Sequence, residues 1–157
     1  ISGLTAMISE FLPAMVARAG QRGGAPARIL NVASIAAFQP VPMLATYAAS
    51  KAFVLSLTES LSEELKGTGV SVTALCPGIT ATNMLSTAAS SNASLARLPG
   101  FLISDVDAVA REAFAACMRG DVICVPGVVN RAAMIASRST PKWLVRKLGG
   151  IVGRSSV

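Results

Sequence analysis

Three short apolar segments, each preceded by a segment with helical periodicity, are the feature that most constrains how this sequence can fold. They are RILNVAS (28–34), GVSVTALCPG (69–78) and DVICVPG (121–127). Apolar residues recur at three- and four-residue steps over the preceding segments, 4–18, 46–66 and 105–119, as they do in amphipathic helices. Uniformly apolar strands that alternate with helices are typical of a parallel sheet covered on both faces. The pattern therefore predicts an α/β fold with a parallel sheet.

Residues with capping preferences predict where the second and third helices begin. Thr46 is the expected N-cap of the second helix, which we expect to stop near Gly67. Ser104 is the expected N-cap of the third. The glycine-containing segment GQRGGAPA (20–27) follows the first helix, and we interpret it as a plain loop.

The net charge of +6 comes entirely from the carboxyl-terminal part of the chain. Residues 1–121 carry eight basic and eight acidic side chains, whereas six basic and no acidic ones follow. We therefore predict a domain over residues 1–130 and a basic tail over 131–157. The tail segment WLVRKLGGIVGR (143–154) is compatible with contact to an anionic membrane surface or with a solvated helix. Its glycines oppose a stable amphipathic helix, which favours the solvated alternative.

Composition excludes several classes of chemistry. The chain has no histidine, which removes Ser-His-Asp and Cys-His catalysis and the common histidine metal sites. Its three cysteines have wide spacings that match neither a disulfide framework nor a metal site, so we expect a reducing, cytoplasmic setting. The uncharged run 29–50 contains two prolines and several polar residues, which argues against a membrane span. Nucleic-acid binding is disfavoured because the tail has one aromatic residue and no recognisable module.

The only tyrosine of the chain, Tyr47, precedes Lys51 by four residues in the segment TYAASKAFVLS. Four residues are about one helical turn, so both side chains are expected on one face of the second helix. A phenol with an unperturbed pKa of about 10 transfers protons poorly near neutrality, and a nearby ammonium favours its ionised form. Ser34 is expected at the carboxyl end of the first strand, where open α/β sheets bind ligands. A Tyr-x-x-x-Lys pair by itself is equally compatible with a half-buried tyrosine and a lysine that only packs along it.

The surroundings of this pair resemble the short-chain dehydrogenase/reductase family. In that family a serine thirteen residues before the tyrosine, a Tyr-x-x-x-Lys helix, and a strand that ends in Pro-Gly followed by Thr form the active site. The matching residues here are Ser34, Tyr47, Lys51, Pro77, Gly78 and Thr82. The resemblance runs from residue 1 to at least residue 127, and it implies a doubly wound, Rossmann-like sheet.

The resemblance also implies a role for each matching residue. Tyr47 is expected to be the general acid/base, Ser34 to polarise the carbonyl or alcohol, and Lys51 to assist Tyr47 and hold the nicotinamide ribose. Pro77, Gly78, the backbone of Ile79 and the side chain of Thr82 are expected to contact the nicotinamide end of NAD or NADP. The implied activity is hydride transfer between that cofactor and a small carbonyl or alcohol, in a homodimer or homotetramer. Asn31 is interpreted as a structural side chain.

The family's cofactor-binding half is expected to be missing from this chain. Its phosphate-binding turn, Gly-x-x-x-Gly-x-Gly, occurs nowhere in the sequence. The chain is therefore interpreted as the carboxyl-terminal half of a reductase, inactive and poorly stable alone. The alternative is a non-catalytic remnant that serves only as an association module. The segments expected to shape a moderately apolar substrate pocket are 38–43 and 84–102, and neither identifies the substrate.

Overall fold

The computed structural model describes residues 1–81 and 103–139. The helices are α1 (Ser2–Ala19), α2 (Ala45–Glu64), α3 (Val106–Arg119) and α4 (Val128–Ser139), with a 3-10 helix at Ile35–Phe38. The strands are β1 (Ala27–Val32), β2 (Val70–Leu75), β3 (Ile79–Thr80), β4 (Ile103–Ser104) and β5 (Ile123–Cys124). The predicted alternation of helices and strands is confirmed over these ranges.

The main sheet has the strand order β1-β2-β5, and both pairings are parallel. β1 and β2 pair along their whole length, from Ala27 opposite Val70 to Val32 opposite Leu75. The predicted parallel α/β sheet is therefore confirmed. A second pairing, between the two-residue strands β3 and β4, lies beyond the carboxyl end of β2 and was not predicted.

Helices cover both faces of this sheet because alternate residues of β2 point to opposite sides. Val70 and Val72 pack in one cluster with Leu65 and the half-buried apolar residues of α1. Leu75 lies in a cluster with Val109 and other buried residues of α3 on the opposite face. The sheet thus has α1 and α2 on one side and α3 on the other, which is the doubly wound arrangement.

Strand β1 is less buried than its apolar sequence predicts. Leu30 and Val32 point to the same side of the sheet, and they are 38% and 54% exposed. Within residues 1–81 and 103–139, β1 pairs only with β2, so its other edge has no strand beside it. Sequence periodicity reports the apolar character of a strand and not the number of its neighbours.

Two of the predicted helix starts differ from the structure. Asp105, not Ser104, caps α3, because its carboxylate accepts a hydrogen bond of 2.8 Å from the Ala108 amide. Ser104 instead belongs to β4, opposite Thr80. Helix α2 begins at Ala45, one residue before the predicted cap, and no side chain caps its start.

The predicted boundary between domain and basic tail, at residue 131, falls inside α4. The Arg131 guanidinium donates a 2.9 Å hydrogen bond to the Val125 carbonyl and pairs with Glu112 of α3. Half-buried Met134 packs against the core cluster of Val54, Leu55 and Val125. The beginning of the predicted tail is therefore packed on the domain, and residues 140–157 lie outside the described ranges. The described helices include none that is both long and apolar enough to cross a bilayer.

Replacing Thr73 with valine should raise the free energy of unfolding by about 1–2 kcal/mol. Thr73 lies in β2 with no solvent exposure, and its hydroxyl has no hydrogen-bond partner. Valine keeps the shape and removes the buried polar atom. Urea unfolding of the two proteins checks this, and a loss of stability in Thr73→Val would show that the hydroxyl is satisfied in solution.

Candidate functional site

The site is built around the carboxyl end of β1, where Ser34 follows the strand. Ser34 is 7% exposed, and its Oγ accepts a hydrogen bond of 3.1 Å from the Ala36 amide. This bond caps the 3-10 helix and restrains the serine side chain. A hydroxyl that accepts one hydrogen bond still has its own hydrogen to donate, so Ser34 can donate to an oxygen placed beside the strand end.

Tyr47 and Lys51 lie in the first two turns of α2 and meet as the four-residue spacing predicts. The Lys51 Nζ is 5.7 Å from the centroid of the Tyr47 ring, within the range of a cation–π contact. It also donates a 3.0 Å hydrogen bond to the carbonyl of Val32, the last residue of β1. Lys51 therefore links α2 to the strand end that precedes Ser34. Tyr47 is 37% exposed, which leaves its ring accessible to a ligand.

The carboxyl end of β2 lies beside that of β1, because the two strands run parallel and in register. The Pro77 carbonyl accepts a 3.0 Å hydrogen bond from the Ile35 amide, next to Ser34. Gly78 and Ile79 continue from this contact and are half-buried, with Ile79 in β3. The structure therefore brings the Ser34 segment and the Pro77–Gly78 turn together. Thr82, the remaining predicted site residue, lies outside the described residues.

A buried, hydrogen-bonded pair of polar side chains links the strand and the helix that carry the site residues. The Asn31 Nδ2 donates a 3.0 Å hydrogen bond to the Thr58 Oγ1, which donates in turn to the Val54 carbonyl at 2.8 Å. Asn31 and Thr58 are 3% and 0% exposed. The pair joins β1 to α2 in the protein interior, which agrees with the structural role predicted for Asn31.

A cavity of about 440 Å³ lies between α2 and the loop that precedes it. Its walls are mostly apolar and come from residues 37–42, which include most of the predicted substrate segment 38–43, and from Ala45, Ala48, Ala49 and Ala52. These alanines are three and four residues apart and share one face of α2. Tyr47 is not among the lining residues of this cavity. The other predicted substrate segment, 84–102, lies outside the described residues.

The cysteines contribute no nucleophile to the site. All three are free and buried. Burial raises the pKa of the Cys124 thiol, and the negative charge of Glu112 raises that pKa further. The thiol therefore stays protonated near neutral pH. The described residues also contain no cluster of three or more side chains suited to hold a metal ion.

Sequence reasoning missed two residues around the site. Met43 lies in the loop before α2 with a φ of 68°, in the left-handed region that a side chain such as methionine rarely adopts. Asn130, in the first turn of α4, packs against Gly78. No periodicity or motif indicates either residue, because both depend on how distant segments meet.

A family model covers more than half of the chain. The sequence model described as short chain dehydrogenase matches residues 1–93. An uncharacterised oxidoreductase of Myxococcus xanthus is 42% identical over 88 residues, which are 53% of this chain and 32% of that protein. The chain thus spans about a third of the length of this curated relative.

Two solved structures share the fold and similar sequences. A short-chain dehydrogenase from Sphingobium yanoikuyae, in complex with NADPH, is 28% identical with a TM-score of 0.66. The match covers 87% of this chain and 50% of that one. A 3-ketoacyl-(acyl-carrier-protein) reductase from Brucella melitensis, in complex with NADH, is 29% identical with a TM-score of 0.65 and covers 80% of this chain and 50% of the other.

Proposed function

Because this chain belongs to the short-chain dehydrogenase family, we propose that it supplies the proton-transfer site of an NAD(P)-dependent oxidoreductase acting on a small carbonyl or alcohol. The observation that carries the proposal is the double contact of Lys51, with the Tyr47 ring and with the end of β1. It brings a phenol and an ammonium to the strand end that Ser34 follows. A lysine that only packed along the helix would not have to donate a hydrogen bond to the carbonyl at the end of β1.

The reacting oxygen of the substrate lies, in this proposal, between Tyr47 and Ser34. Tyr47 donates its phenolic proton to that oxygen in reduction and accepts it back in oxidation. The Lys51 ammonium lies 5.7 Å from the centroid of the Tyr47 ring, so its positive charge faces the phenol during this transfer. Ser34 donates its hydroxyl hydrogen to the same oxygen, and its bond with the Ala36 amide keeps the side chain oriented.

The residues at the two strand ends fit a nicotinamide nucleotide. An ammonium has three donors, and the Val32 carbonyl takes one from Lys51, so two remain for the hydroxyl groups of a ribose. Tyr47, Pro77, Gly78, Ile79 and Thr82 complete the set proposed to hold the nicotinamide end. When bound, the cofactor supplies the hydride. Relatives of similar sequence bind NADPH and NADH, and no described residue favours one over the other.

We further propose that the chain is the carboxyl-terminal half of a longer reductase that forms a homodimer or homotetramer in the cytoplasm. Two observations support the half-chain part of this proposal: the sequence lacks the glycine-rich phosphate-binding turn, and the two solved structures are each matched over half their length. The unpaired edge of β1 is a place where further strands could continue the sheet. In this scheme residues 1–130, together with the part of α4 that packs on them, complete that domain, and the basic segment beyond has no catalytic role.

A second function, association without catalysis, is favoured by exposed apolar side chains on α1 and α2. Met7 and Phe11 of α1 are 59% and 54% exposed, and Phe53 of α2 is 37% exposed. Such side chains on helices are typical of surfaces that pack against another subunit. Retention of the Ser34, Tyr47 and Lys51 arrangement favours the oxidoreductase, since association requires none of their polar groups.

The 157-residue chain by itself should show no steady-state oxidation of NADPH or NADH with a panel of aldehydes and ketones. The reason is that no glycine-rich turn in its sequence can hold the cofactor pyrophosphate. The protein translated from the complete reading frame of the gene should oxidise one of the two nucleotides. The absorbance of the reduced nicotinamide measures both reactions. Turnover by the 157-residue chain would contradict the proposal that the chain is half of a reductase. Inactivity of the complete protein with every carbonyl would contradict the proposed oxidoreductase function.

A further inference from the structure

The absence of a side chain at position 78 is explained by a neighbouring residue and not by the backbone conformation of Gly78. Gly23, Gly67, Gly69, Gly120 and Gly127 have a positive φ, whereas Gly78 does not. A Cβ built on Gly78 would lie 2.6 Å from both the Cγ and the Nδ2 of Asn130, and closer still to its Oδ1. Real Cβ atoms do not approach other atoms so closely. A side chain at position 78 would therefore have to displace the Asn130 amide, which occupies the space that its Cβ needs.

Asn130 is itself held in place at the start of α4. Its Nδ2 donates a 2.8 Å hydrogen bond to the Pro126 carbonyl, just after β5. The next residue, Arg131, donates to the Val125 carbonyl and pairs with Glu112. Two successive carbonyls at the end of β5 are thus bound by two successive side chains of α4. The bond to Pro126 therefore tethers the Asn130 amide beside Gly78.

The Gly78–Asn130 contact is connected to the serine of the site. Pro77, next to Gly78, accepts the hydrogen bond from the Ile35 amide that follows Ser34. On the other side of Gly78 lies Ile79, which pairs with β4. A shift of the Pro77–Gly78 turn would therefore move both the Ser34 segment and the backbone proposed to face the nicotinamide.

We propose that Asn130 is a positioning residue that packs into the space left by the absent side chain of Gly78 and so sets the affinity of the site for the nicotinamide nucleotide. The nucleotide part of this inference rests on the proposed function. The packing part stands on contacts among residues 77–79 and 125–131 alone. Asn130 touches no reacting atom and acts only through the Pro77–Gly78 turn.

A double-mutant cycle in the protein from the complete reading frame tests the packing part. Gly78→Ala alone should lower the urea midpoint by about 1 M, because its methyl group collides with the Asn130 amide. Alanine at position 130 removes all three colliding atoms. In the Asn130→Ala background the Gly78→Ala substitution should therefore lower the midpoint by less than half as much. Equal losses in both backgrounds would overturn the proposed contact.

Nucleotide binding by the same four proteins tests the positioning part, with NADPH and NADH as probes. Asn130→Ala should raise the KM and the Kd for the preferred nucleotide about five- to tenfold, with a smaller change in kcat. Val129→Ala, on the same turn and half-exposed, is the matched control and should change neither constant. Unchanged affinity in Asn130→Ala would overturn the positioning role. Failure of the wild-type protein to bind either nucleotide would refute the proposed function and this positioning role together. The double-mutant cycle in urea would still test whether Asn130 packs against Gly78.

Discussion

Replacing Tyr47 with phenylalanine should lower kcat for carbonyl reduction about 10²–10⁴-fold in the protein from the complete reading frame. Phenylalanine keeps the ring that Lys51 faces at 5.7 Å and removes only the hydroxyl that exchanges the proton. The helix and the bond from Lys51 to the Val32 carbonyl should therefore persist. Nucleotide affinity should fall by a much smaller factor than kcat, because Tyr47 is one of several residues proposed to hold the nicotinamide end and only its hydroxyl is removed.

The control for this variant is Ser56→Ala, which removes an exposed hydroxyl from the same helix. It should retain kcat within about twofold, because Ser56 lies more than two turns beyond Tyr47. Steady-state rates measured with saturating nucleotide and one accepted carbonyl separate the two variants. A Tyr47→Phe protein that keeps more than a tenth of the wild-type kcat would show that another group transfers the proton.

Replacing Thr58 with valine should lower the free energy of unfolding by about 1–3 kcal/mol. Valine has almost the same shape, so the packing of α2 on β1 is preserved. The Asn31 amide, however, loses its acceptor while it remains 3% exposed. When a buried donor has no partner, no hydrogen bond offsets the free energy that its removal from water costs.

Thr73→Val is the matched comparison for this variant, because both threonines are fully buried and the chemical change is the same. The two substitutions should shift urea unfolding in opposite directions, since the Thr58 hydroxyl has two partners and the Thr73 hydroxyl has none. Shifts of the same sign would show that burial alone, and not hydrogen bonding, decides the effect.

Local sequence determined the elements of this protein and the spacing of its polar site residues. A helix has a fixed rise and turn, so a Tyr-x-x-x-Lys segment brings Tyr47 and Lys51 to one face wherever the helix lies. Mostly apolar runs likewise identified β1, β2 and β5, because strands of a sheet covered by helices are mostly apolar. The parallel sheet follows from the helices between those runs.

Only the tertiary structure decided which neighbours these elements have. The exposed side of Val32, the pairing of Ser104 with Thr80 and the packing of Met134 on the domain depend on segments that are distant in the chain. The contact between Gly78 and Asn130 joins residues more than fifty positions apart, and no local pattern records it. Periodicity encodes the geometry of one element, whereas contacts between elements are set by packing and by the bonds that buried polar groups require.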